Sequence, residues 1–125
     1  MKNLIFSILV LLLAISCNKD ENNITASDLL GCWKHDIETE NTSGSIYFMT
    51  RCEAKEFPNG YWRYSLIFED GRKGSELQLA ENDAHFYADI TWSISEDRLY
   101  IDKEDIRTEY IIEIVNDESI RLTRQ

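Results

Sequence analysis

The chain is 125 residues long, which leaves room for one domain once a leader is set aside. Twenty-three acidic side chains against thirteen basic ones give a net charge of −10, which excludes the basic footprint of a nucleic-acid-binding protein and electrostatic docking on anionic lipid. The acids are scattered and not blocked, as on a soluble surface.

Met1-Lys2-Asn3 is a short positive start, and the apolar run over residues 4–14 is broken only by Ser7. A bilayer-spanning helix needs ~20 apolar residues, so the run reads as a cleaved signal and not as an anchor. Ala14-Ile15-Ser16-Cys17 closes it with small residues before a cysteine. This resembles the lipobox of bacterial lipoproteins. The resemblance implies cleavage before Cys17, acylation of Cys17 by palmitate-type chains, and a signal peptide over residues 1–16. Asn18-Lys19-Asp20-Glu21 is similar to the Lys-then-acidic export signal of Bacteroidetes-type lipoproteins, which implies a lipid anchor in the outer membrane with the domain exposed at the cell surface. The same four residues also read as a plain solvated linker. Residues 17–27 are polar and without apolar periodicity, so they form a tether, about ten residues reaching roughly 15–20 Å. The domain then spans residues 28–125.

Three cysteines is an odd number for an exported chain. With Cys17 taken by lipid, Cys32 and Cys52 remain as a pair. Asn41-Thr42-Ser43-Gly44 is a cluster of turn residues, and a hairpin symmetric about Thr42 sets the two cysteines opposite one another. Opposed Cα atoms lie ~4.5–5.5 Å apart, within disulfide reach. Such a bridge is expected to stabilise the domain by roughly 3 kcal/mol. The competing reading, a reactive thiol or metal pair, lacks a supporting histidine or CxxC spacing.

Period-two alternation dominates the remainder. Trp62, Tyr64, Leu66 and Phe68 share one face, as do Phe86, Ala88, Ile90, Trp92 and Ile94. Residues 26–30 could form one helical turn before the first strand. Asp70-Gly71 reads as a two-residue turn, which sets Tyr64 opposite Leu77 and Trp62 opposite Leu79. Turns at Asn82-Asp83, Glu96-Asp97 and Asp117 then pair Leu79 with Phe86, Ile94 with Leu99, Trp92 with Ile101, Ile114 with Ile120 and Ile112 with Leu122. Each register keeps the apolar face on one side. With the cysteine hairpin and a strand over residues 107–115, the pattern is all-β: a small eight-stranded antiparallel up-and-down barrel. Closure also removes aggregation-prone edges.

Leu30-Gly31-Cys32-Trp33 at the start of the first strand resembles the Gly-x-Trp signature of lipocalins and of lipocalin-like domains on bacterial lipoproteins. Residues 110–114 and 119–124 are similar to the final hairpin of that group. The resemblance implies a barrel latch in which Trp33, beside Gly31, packs under a basic residue of the last strand, here Arg124. Arg124 has the inward parity of Ile120 and Leu122, and a cation–π contact there is worth about 0.5–2 kcal/mol. The chain lacks the long first loop and C-terminal helix of ordinary lipocalins, and an eight-stranded barrel can be filled by its own side chains.

Constellations that carry chemistry are sparse. His35 and His85 stand apart from any metal or nucleophile motif. Asp102-Lys103-Glu104-Asp105 lacks the spacing of a calcium loop and reads as a charged turn. No cofactor, metal or catalytic residue is expected, and the chain does not read as an enzyme. The residues expected to line a ligand pocket are His35, Trp62, Tyr64, Phe86, Trp92 and Tyr110. Two functions fit. One is a surface-anchored module that binds a small apolar or amphipathic ligand in the barrel mouth. The other is a non-catalytic envelope interaction module with a filled barrel and a protein partner.

Overall fold

The computed structural model describes residues 24–42, 44–57, 64–79 and 85–125. One helical turn, α1 (Ala26–Leu29), precedes strands β1 (Gly31–His35), β2 (Ile46–Arg51), β3 (Tyr64–Phe68), β4 (Lys73–Leu79), β5 (His85–Ser95), β6 (Arg98–Lys103), β7 (Ile106–Asn116) and β8 (Ser119–Arg124). The strands close into one antiparallel barrel in the order β1-β2-β8-β7-β6-β5-β4-β3, with β3 returning to β1. The all-β, eight-stranded barrel expected from the period-two runs is the fold.

Its strand order departs from a sequential meander at one place. β1 lies between β2 and β3 and is antiparallel to both. β2 and β3 therefore run in the same direction, and a hairpin cannot join them. It is β2, and not β1, that meets β8. The start of the β2–β3 link is held on the outer face by a buried carboxylate. Asp36 accepts hydrogen bonds from Lys55 Nζ at 2.7 Å, Thr50 Oγ1 at 2.9 Å and the Thr39 backbone N–H at 3.1 Å. Burial alone would raise the Asp36 pKa, but these donors together hold it down at about 2.

Three of the expected registers are present. Trp33 pairs with Arg51 and His35 with Met49, so the hairpin is symmetric about Thr42. Cys32 and Cys52 are bridged with their Cα atoms 5.4 Å apart. Trp92 pairs with Ile101 and Ile94 with Leu99. Ile112 pairs with Leu122 and Ile114 with Ile120, followed by a bulge before Asn116.

The two registers around β4 are each one residue off. Tyr64 pairs with Gln78 and not Leu77, and Phe86 pairs with Gln78 and not Leu79. Trp62 lies outside the described residues. The cause is the turn. Asp70–Arg72 forms a three-residue 3-10 turn closed by the Glu69 N–H on the Lys73 carbonyl, with Gly71 and Arg72 both in the left-handed region at φ 75° and 62°. One extra residue turns β4 over. Gly74, Glu76 and Gln78 face the interior beside Phe68, Leu66 and Tyr64, while Leu77 lies on the outer face of the sheet beside Ser65, where both are nonetheless buried. The second slip cancels the first, and β5 keeps Ile90 and Trp92 in the core. Gly74 is required where it stands, because a Cβ there would collide with the Ile67 carbonyl oxygen.

One end of the barrel is closed. α1 lays Leu29 over it, and Trp33 donates its indole N–H to the Leu29 carbonyl at 2.9 Å. The cation above Trp33 is Arg51, its guanidinium 4.2 Å from the ring centroid. Arg51 also donates to the Leu30 and Asp28 carbonyls, both at 2.6 Å, and so caps the helix that seals the barrel. Gly31, at φ 114°, lets the chain turn from α1 into β1, and Arg51 fills the space a side chain would take. Arg124 is therefore not the latch. It stands opposite Tyr110, at the other end, because β8 pairs with β2 instead of β1.

Candidate functional site

The opposite end of the barrel is a mouth. Above a floor that includes buried Met49, Leu66, Leu99 and Leu122, the cavity measures about 410 Å³, within the range of small-ligand sites. Eleven residues line it, and they fall into three groups. Tyr47, Tyr64, Tyr110 and His35 form an aromatic wall, with Tyr47 5.3 Å from both His35 and Tyr64 and 6.2 Å from Tyr110, ring centre to ring centre. Glu76, Gln78, Lys103, Thr108 and Arg124 supply polar groups. Ile101 and Ile106 supply the apolar surface.

Of the residues expected to line a pocket, His35, Tyr64 and Tyr110 do so. Trp92 does not. It stacks edge-on with Phe68 at 4.9 Å and donates to the Lys73 carbonyl, deep in the core. Phe86 has inward parity but stands 60% exposed and does not line the cavity. Trp62 and the lipidation residue Cys17 lie outside the described residues. Glu76 and Gln78 are absent from the expectation because the turn at Asp70-Gly71 was read one residue too short. Lys103 and Thr108 do carry a sequence signal, since they share the parity of Ile101 and Tyr110. In the same stretch Asp102 faces outward, where Arg107 grips its carboxylate with two hydrogen bonds of 2.8 and 3.0 Å.

The site is electrostatically arranged. Glu76 is buried and paired with Lys103 at 3.2 Å, and it also accepts from the Gln78 amide. A buried carboxylate without partners would be costly, and these two groups supply them. Burial pushes the Tyr64 hydroxyl far above the ordinary tyrosine range, with Tyr110 and Glu76 adding to the effect. Tyr64 therefore stays protonated and is hydrogen-bonded to Tyr110, whose own pKa is raised by burial and lowered in part by Tyr64 and by Arg124 nearby. The His35 pKa is lowered by burial, against the pull of Asp36, and its Nε2 lies 3.2 Å from Thr42 Oγ1. This set can orient a ligand by hydrogen bonds and charge.

Two other hollows, about 400 and 460 Å³, lie at the closed end. Both border Ile24, the first described residue, and neither gathers a buried set of polar groups. Comparison with protein-family models, with curated proteins and with solved structures finds no match to this chain.

Proposed function

We propose that this protein is a lipid-anchored outer-membrane lipoprotein, exposed at the cell surface, whose lipocalin-like barrel binds a small amphipathic ligand at its mouth without transforming it. The observation that carries this reading is the mouth itself. It offers a concave site of ligand size in which four aromatic rings, two isoleucines and a few convergent polar groups meet. The lipobox ending at Cys17 supports the anchor. α1 and Ile24 lie at the closed end, so a tether from Cys17 would join the barrel opposite its mouth and leave the mouth facing away from the membrane.

The alternative is an interaction module that grips another envelope protein. It draws support from Phe86 and Tyr87, exposed at 60% and 71% on neighbouring positions of β5. Native mass spectrometry of protein isolated from its own host separates the two. A retained small molecule supports ligand binding. A stoichiometric protein partner with an empty barrel supports the alternative.

A further inference from the structure

We infer that the ligand is an anionic amphiphile, and that its carboxylate is received by Arg124 and Tyr110. The inference rests on the ligand-binding reading above. It starts from where the cations go. Arg98, Arg107 and Arg121 each meet a carboxylate on the outer surface, and Arg51 is engaged by two carbonyls and Trp33. Inside the mouth, Lys103 is matched by Glu76. Arg124 lines the same cavity, and no carboxylate of the described residues comes within ion-pair distance of it. Arg124, exposed at the rim of the cavity, is thus a guanidinium without a carboxylate partner among the described residues.

A hydroxyl stands beside that guanidinium. The register places Tyr110 directly opposite Arg124 on the inner face. Tyr110 is hydrogen-bonded to Tyr64, and when it accepts from Tyr64 its own hydroxyl has a hydrogen to give. A guanidinium fork beside a phenol hydrogen matches a carboxylate, which accepts through both oxygens. A cationic ligand would meet Arg124 unfavourably, and a neutral one would leave it unmatched. Ile101, the exposed Ile106 and the ring faces of Tyr47 and Tyr64 would take an alkyl or aryl body, beside the Glu76–Lys103 pair, Gln78 and Thr108.

The test uses the full chain in lipid nanodiscs, with empty nanodiscs as reference, titrated with phenylbutyrate, phenylbutanol and phenylbutylamine. These share one body and differ in head-group charge. Phenylbutyrate should bind about tenfold or more tighter than phenylbutanol, and Arg124→Gln should erase that preference, a change of ~1.4 kcal/mol. Arg124→Lys should restore part of it. An unchanged thermal midpoint in Arg124→Gln excludes misfolding, and Tyr110→Phe should give a smaller loss in the same direction. Equal affinity for phenylbutanol, with Arg124→Gln indifferent, overturns the head-group assignment and leaves the pocket standing. Binding by none of the three overturns the assignment together with the reading it rests on.

Discussion

Trp33 illustrates what a single residue discloses and what it hides. Its inward parity and its place at the start of β1 were legible, and so was its need for a cation. The identity of that cation was not, because it depends on which strand lies next to β1. Arg51 holds the place expected of Arg124. Trp33→Ala should therefore cost ~3–5 kcal/mol in urea denaturation, as large-to-small core changes do. Arg51→Ala should cost about 1–2 kcal/mol, and a double-mutant cycle should find the two losses non-additive, since one contact is shared. Arg124→Ala should leave stability nearly unchanged, whereas a loss as large as that of Arg51→Ala would speak against this assignment.

At the same scale, Asp36 links pH to stability. Its folded pKa of about 2 lies below the ordinary value of 3.8, so the unfolded chain binds the proton more readily. The stabilisation, on the order of 2 kcal/mol, is then fully present above about pH 5 and is lost as pH falls towards 2. Denaturation midpoints across that window should drop in the wild type, and the drop should be smaller in Asp36→Asn. Parallel curves for the two proteins would mean that the carboxylate is not held as described.

At the scale of elements, the cysteine hairpin was readable because it is local. A turn cluster, a symmetric spacing and a shared face fix Cys32 against Cys52 without reference to the rest of the chain. Cys32→Ser and Cys52→Ser should each cost roughly 2–4 kcal/mol, with the double variant no worse than either. The β3–β4 turn misled for an equally local reason. Asp70-Gly71 fits a two-residue turn, and nothing in it reveals that Arg72 joins in the left-handed region. The consequence reaches the site, since it turns Glu76 and Gln78 into the barrel. Gly74→Ala tests this register. An inward Gly74 pressed against the Ile67 carbonyl should make the substitution cost ~1–3 kcal/mol. Gly71→Ala, where there is open space and only backbone strain, should cost about 1 kcal/mol. A neutral Gly74→Ala would indicate that β4 faces the other way.

For the whole molecule, alternation and turn spacing were enough to give the closed eight-stranded barrel, because each hairpin constrains the next. They were not enough to give the exchange of β1 and β2, which depends on a non-local link without period. Part of the mouth was legible for the same reason: His35, Tyr64 and Tyr110 lie on strands whose faces were read correctly. Glu76 and Gln78 enter it only once the β4 register is known, and Arg124 only once the strand order is. The resulting molecule has a sealed end where the chain enters and an open, polar-aromatic end opposite. Thr108 lines that open end outside the buried core, so Thr108→Trp would plug the mouth and leave Trp33, Phe68 and Trp92 untouched. Native mass spectrometry of wild-type protein and Thr108→Trp from the same host should then show a bound small molecule on the first and none on the second, at equal thermal stability. The same mass retained on both proteins, or none on either, would contradict a ligand site in the mouth.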